Sequence, residues 1–204
     1  MTTPYILLAS KSPRRQALLR QLGIDFDVLK LREAPGRERD VVEGARDAEP
    51  PLHYVERMAR TKVASGWQRM QQRLLTERPV LSADTEVVLD GVIFGKPANA
   101  DEAKHMLKTL SGQTHQVITA VAVRLHERTE VELSISKVAF RALSAEEIDH
   151  YVATGEPDDK AGAYAIQGKA AAFITRIDGS FSGVVGLPLA ETAELLARFG
   201  MPVL

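Results

Sequence analysis

Residues 5–23 read YILLASKSPRRQALLRQLG, and they decide the fold class. Positions 5–9 form a compact apolar run with the brevity of a buried strand. Beyond Ser12 the apolar residues Ala17, Leu18, Leu19 and Leu22 return with a helical period that closes at Gly23. The chain thus opens strand, turn, helix. The same alternation of strand and helix periods continues outward, without an internal repeat or a low-complexity tract, and predicts a mixed α/β protein. Helices are expected over 51–73 with Gly66 as an interruption, from Asn99 or Asp101 to about Gly112, from a Ser144/Glu147 capping box to about Gly155, and from Pro188 to Gly200. Strands are expected over 79–83, 86–89, 92–94, 115–125, 130–140, 163–167 and 172–177, with Asp90-Gly91 as a hairpin turn. Residues 31–51, dense in Arg, Glu and Asp, read as a long solvated surface excursion. No Pro/Gly linker cleanly divides the chain.

Of the 204 residues 45% are hydrophobic and 26% charged, which supports a substantial core. Lys plus Arg number 26 and Asp plus Glu 27, so the net charge of −1 offers no global attraction to nucleic acid or to an anionic membrane. Any phosphate-binding site must be local. The lack of cysteine removes disulfides, thiolate metal sites, Fe–S clusters and a Cys nucleophile, and fits a reducing cytoplasm. Without a basic n-region or a run of about 18 apolar residues, neither export nor membrane spanning is expected.

Three places carry chemistry. In ASKSPRR (9–15), Ser12 is a good N-cap, Pro13 suits the first helical position, and Arg14 and Arg15 fall in the first turn. Two cations at the positive end of a helix oppose the dipole at about 0.3–1 kcal/mol each, a conflict that a bound anion would resolve. Main-chain N–H groups, hydroxyls and guanidinium groups then make a phosphate cradle; the alternative is two ordinary solvated arginines. In SADTEVVLDGVIFGKP (82–97), Asp84 leaves the tip of a buried strand, and period two puts Glu86 on the same face if the strand continues. The pair could share a divalent cation or divide the roles of base and ligand, or else form an Asp-Thr turn with a solvent-facing Glu86. Lys96, held between Gly95 and Pro97, suits a substrate phosphate, with surface solubility as the competing explanation. In DDKAGAYAIQGKAA (158–171), small residues allow close backbone approach, Lys160 and Gln167 are the polar contributors, and Gln167 carries the donor and acceptor needed to read a pyrimidine edge; the alternative is a loop with a core-adjacent Gln. The five histidines lack metal-ligand spacing and read as structural or exposed, so a metal would take oxygen ligands. No P-loop and no G-x-S-x-G motif is present.

Taken together, LLASKSPRR (7–15), SADT (82–85) with LDG (89–91) and FGKP (94–97), and DKAGAYAIQG (159–168) with VVGLPL (184–189) resemble the Maf family of nucleotide pyrophosphatases, in the family's order and over nearly the whole chain. The resemblance implies an α/β fold with a central mixed, curved sheet flanked by helices. It also implies one domain over 1–204, in two lobes around a nucleotide cleft. The implied reaction is hydrolysis of a nucleoside triphosphate to the monophosphate and pyrophosphate, and the form DKAGAYxIQG points to the branch acting on dTTP and UTP. Asp84 matches the family's proton acceptor, Arg14, Thr85 and Gln167 match positions of substrate choice, and Ser10, Arg15, Lys62, Lys96 and Lys160 match polar positions lining the pocket. A divalent cation, Mg²⁺ or Mn²⁺, is implied, with Asp84 and Glu33 as its ligands. Glu33 stands in for the family's usual Asp-Glu pair, which KLREAPGRERD (30–40) replaces. Glu86 also departs from the apolar residue common there. Family members are typically cytoplasmic, often homodimeric, and associated with cell-division arrest. Two rival readings accompany this one: a nucleotidyltransferase, which would need an acceptor such as a sugar phosphate, and a nucleotide-sensing regulatory protein that binds without turnover.

Overall fold

The computed structural model describes residues 5–32 and 40–203. Two compact units divide the chain: one built from the chain up to Asp84, Thr119–Leu133 and the chain from Gly186 onward, the other from Thr85–Ile118 and Ser134–Val185.

The first unit opens as the sequence predicts. Strand β1 (Tyr5–Leu8) is followed by helix α1 (Pro13–Gln21) and strand β2 (Asp25–Val28). Ser12 caps α1 by accepting the Arg15 N–H at 3.5 Å, and Gly23, at φ +69°, turns the chain out of it. Strand β1 pairs in parallel with β2, Tyr5 opposite Asp25, and with strand β3 (Val80–Leu89), Leu7 opposite Val80. Between them helix α2 (Pro51–Gln72) buries Tyr54, Val55, Met58, Ala59, Val63, Trp67 and Met70, the spacing of one apolar stripe. Gly66 does not interrupt it. A Cβ there would stand 2.8 Å from that of Ala9 and 2.9 Å from Val80 Cγ1, so glycine is what lets this helix lie against β1 and β3. The excursion before α2 is not simply solvated. Asp40 accepts two hydrogen bonds from Arg69 at 2.6 and 2.5 Å, and Glu49 pairs with Arg57 at 2.6 Å. Residues 33–39 of that stretch, Glu33 among them, lie outside the described residues.

In the second unit, β3 turns into strand β4 (Val92–Phe94) through Asp90 and Gly91, both at positive φ (50° and 79°), which is the predicted hairpin. Helix α3 (Ala100–Leu110) is capped by Asn99 and helix α4 (Ala145–Val152) by the Ser144/Glu147 box. Strands β5 (Thr114–Leu125) and β6 (Arg128–Phe140), whose Thr119–Leu133 portion with its two-residue turn at 126–127 belongs to the first unit, run through both units, and strand β7 (Ile174–Asp178) lies antiparallel to β6. Helices α5 (Phe181–Val185) and α6 (Leu189–Arg198) complete the elements, α6 in the first unit. The strands form one mixed sheet in the order β2-β1-β3-β5-β6-β7, with β4 paired to β3. None of the described helices is long and apolar enough to cross a membrane.

Four expectations need correction. The strands predicted at 79–83 and 86–89 are one, because Thr85, Val87 and Val88 favour extended backbone through the Asp84 position. No strand forms over 163–167. Gly162 and Ala163, at φ 66° and 57°, instead close a 3-10 turn at Ala161–Ala163, and a second follows at Lys169–Phe173, delaying β7 to Ile174. Pro188, at ψ 112°, caps α6 from outside rather than starting it. Strand β2 and helix α5, four and five residues long, carry too little periodicity to have been predicted.

Candidate active site

Within the first unit the structure holds a buried carboxylate against a lysine. Asp84 sits inside β3 rather than at its tip, and the residue is 5% exposed. This removes the Asp-Thr turn as an alternative. Lys62, on the buried side of α2 three residues beyond Ala59, donates to Asp84 Oδ1 at 2.6 Å and pairs with Glu43 Oε1 at 2.6 Å. Burial alone would push the Lys62 ammonium down, but the two carboxylates outweigh it and its pKa lies above the ordinary lysine value. The lysine is therefore a fixed positive charge at neutral pH. Asp84 Oδ2 is buried and has no hydrogen-bond partner among the described residues. A buried carboxylate oxygen left in this state is an acceptor held ready for water or a cation.

The start of α1, in the same unit, supplies a second group of polar side chains. Ser10 Oγ accepts from the Ser12 N–H at 3.2 Å and from Arg15 Nη1 at 3.4 Å, while Arg15 Nε donates to the Gly186 carbonyl at 2.8 Å. Arg15 is thereby fixed in direction, which an ordinary solvated arginine is not. Arg14 is half-buried and forms no ion pair among the described residues, and no acidic side chain stands in the first turn to neutralise it. The arrangement keeps positive charge where the helix already presents its free N–H groups, as an anion cradle requires.

Within the second unit, the Gly162 N–H donates to the Gly95 carbonyl at 3.1 Å, bringing together the segments that carry Lys96 and Lys160. A Cβ at position 162 would meet Val87 at 2.8–2.9 Å, so glycine is required both for that approach and for φ +66°. Lys96 is exposed; Lys160 is half-buried and pairs with Asp159. Thr85 and Glu86 follow Asp84 along β3, both half-buried and both engaged. Gln167 stands exposed on a separate tight turn, which the Gly168 N–H closes on the Ala165 carbonyl at 3.0 Å.

The sequence named Asp84, Lys62, Ser10 and Arg15 singly, and the structure pairs Asp84 with Lys62 and Ser10 with Arg15. The sequence did not single out Glu43, whose only signal was one acidic residue in a charged excursion, or the Gly186 carbonyl that orients Arg15. Among the described residues no group of three or more His, Asp or Glu side chains can cage a metal. A hard divalent cation does not need such a cage: Mg²⁺ is commonly held by one or two carboxylates together with substrate phosphates, and the open Oδ2 of Asp84 fits that role.

Comparison with known proteins gives a family. The model for Maf-like protein matches residues 5–199. A relative from Nitrosospira multiformis named dTTP/UTP pyrophosphatase is 60% identical over 191 residues, 94% of this chain and 92% of its own. Another of the same name, from Nitrosomonas europaea, is 55% identical over the whole of both chains. The solved structure of the Staphylococcus aureus Ham1 protein aligns with 67% of this chain and 71% of its own, at 14% identity and a TM-score of 0.45.

Proposed function

The chain belongs to the Maf family, and we propose that it is a nucleotide pyrophosphatase that hydrolyses dTTP and UTP to the nucleoside monophosphate and pyrophosphate. The observation that carries this reading is the buried Asp84 carboxylate, one oxygen held by Lys62 and the other open, in a chain 60% identical to a protein named for that activity.

The chemistry follows from charge. Water attacks the α-phosphorus, the bond to the bridging oxygen breaks, and pyrophosphate leaves with that oxygen. Asp84 orients the water and takes its proton, while Lys62 keeps the carboxylate in place. Arg14, Arg15 and Ser10 bind phosphate oxygens at the start of α1, and Lys96 and Lys160 stabilise the growing charge of the leaving group. Thr85 and Gln167 contribute to substrate choice, Gln167 by hydrogen-bonding the pyrimidine edge. A Mg²⁺ or Mn²⁺ ion held by Asp84, with Glu33 as its second ligand, would supply further charge neutralisation at the phosphates. The cytoplasmic location and the homodimer belong to the same proposal and rest on the family likeness.

The test is pyrophosphate release from dTTP, UTP, CTP, GTP and 7-methyl-GTP with Mg²⁺ or Mn²⁺, with Asp84→Asn alongside. Turnover is expected for dTTP and UTP, with kcat lower by about 10²–10⁴-fold in the variant and KM little changed. No turnover of any triphosphate would overturn the reading, and near-normal kcat in Asp84→Asn would remove Asp84 as the base.

A further inference from the structure

The turn that carries Gln167 is held from both sides by two side chains that have no part in the reaction proposed above. On its near side Tyr151, in α4, accepts the Ala165 N–H at 3.2 Å through its hydroxyl. On its far side Glu156 accepts the Lys169 N–H at Oε2 (3.1 Å) and the Ala170 N–H at Oε1 (3.4 Å). The two are joined to each other, Tyr151 Oη donating to Glu156 Oε1 at 2.9 Å. Burial raises the Tyr151 pKa, and the Glu156 carboxylate adds to the effect, so the phenol stays protonated and the bond persists.

The clamp is fixed in its turn. Thr154 Oγ1 accepts the Glu156 N–H at 3.2 Å while donating to the Tyr151 carbonyl at 2.7 Å. At position 168 a Cβ would stand 2.2 Å from Glu156 Oε1 and 2.4 Å from its Cδ, so the glycine next to Gln167 exists to let the carboxylate reach the backbone. Its φ of −111° is open to any residue, which leaves this close approach as the reason for glycine. Three backbone N–H groups, at 165, 169 and 170, are thus tied to one Tyr-Glu pair, with Gln167 exposed between them.

We infer that Tyr151 and Glu156 are positioning residues for substrate selectivity, a clamp that fixes the 165–170 backbone so that Gln167 meets the pyrimidine edge in one orientation. The inference deepens the proposed function and rests on its assignment of Gln167. A side chain that reads hydrogen-bond donors and acceptors discriminates only when its backbone does not give.

The experiment compares kcat/KM for UTP with that for GTP in Tyr151→Phe, Glu156→Gln, Gly168→Ala and Gln167→Ala, with a thermal midpoint for each. Each of the three clamp variants is expected to lower the UTP-to-GTP ratio about three- to tenfold, mainly through KM for UTP, as expected for loss of one well-placed hydrogen bond. Combined with Gln167→Ala, none should lower the ratio further. A purely structural role would depress both nucleotides in parallel and leave the ratio unchanged, and that result in folded variants, or full additivity with Gln167→Ala, overturns the clamp. A wild-type ratio in Gln167→Ala itself overturns the base-reading assignment instead. Glu156→Gln keeps the shape and one carbonyl acceptor, so it serves where Tyr151→Phe does not fold.

Discussion

Lys62 is the residue on which the site's electrostatics turn. An ammonium placed 2.6 Å from both Asp84 and Glu43, at 16% side-chain exposure, holds two carboxylates that would otherwise face each other's charge with little water to screen it. Removing one member of such a cluster leaves the others charged and poorly solvated, which costs more than the pair itself contributes. We expect Lys62→Met to lower unfolding free energy by about 2–4 kcal/mol, and Asp84→Asn in the same chain to recover about 1–3 kcal/mol of it. Urea unfolding of the two single variants and the double variant measures the coupling. Strict additivity would mean that the contact carries no stabilising interaction. Because the Lys62 pKa is raised, its contribution is fully present below the ordinary lysine range and is lost only as pH rises through its folded value, so neutral-pH measurements report it whole.

At the scale of elements, Gly66 sets how closely α2 lies on the sheet. A methyl at that position enters the space of Ala9 Cβ and Val80 Cγ1, neither of which is the far end of a flexible side chain. The helix gains propensity from Gly→Ala, worth about 1 kcal/mol, but overpacking against β1 and β3 costs about 1–3 kcal/mol, and the second effect should win. Gly66→Ala is therefore expected to lower the thermal midpoint, and a raised midpoint would show that α2 can shift away from the strands. The same residue shows what a sequence can and cannot convey. Periodicity announced α2, and the N-cap residues Ser12, Asn99 and Ser144 announced three helix starts, because these signals are local. Gly66 read as an interruption because its reason lies in Ala9 and Val80, far off in the chain. Asp84 likewise read as a strand tip, since a carboxylate inside a buried strand is intelligible only once Lys62 is seen beside it. Asp84, Lys62, Ser10 and Arg15 were named one by one through motifs, but their pairing was not legible, nor were Glu43, Tyr151 and Glu156, ordinary residue types whose roles depend on where they land.

For the molecule as a whole, acid stability should fall in two stages, because the perturbed groups divide into two windows. His115 is 1% exposed, and burial lowers its pKa from the ordinary 6.5 to about 4. Its ring packs edge-on against Phe140 and Tyr164, Nε2 lies 2.8 Å from the Tyr164 hydroxyl, and Nδ1 has no partner among the described residues. The folded protein therefore resists protonating this ring. The unfolded chain does not. Between pH 6.5 and 4 the unfolded state binds more protons, so stability is complete above that window and declines as pH falls through it, by at most about 3 kcal/mol. The second stage lies lower. Glu49, hydrogen-bonded by Arg57, and Glu147, hydrogen-bonded by Arg141, each have pKa values lowered to about 2. Their contributions are present above the ordinary carboxylate range and are lost as pH drops towards about 2. Replacing the imidazole should remove the first stage alone. His115→Gln keeps an amide able to reach Tyr164 but cannot titrate, so its urea midpoint should hold nearly level from pH 7 to 4.5 while that of the wild type falls. Equal slopes in the two proteins would show that His115 is protonated in the folded state at its ordinary pKa. Its neutral ring would then not be what links the aromatic packing of this unit to pH.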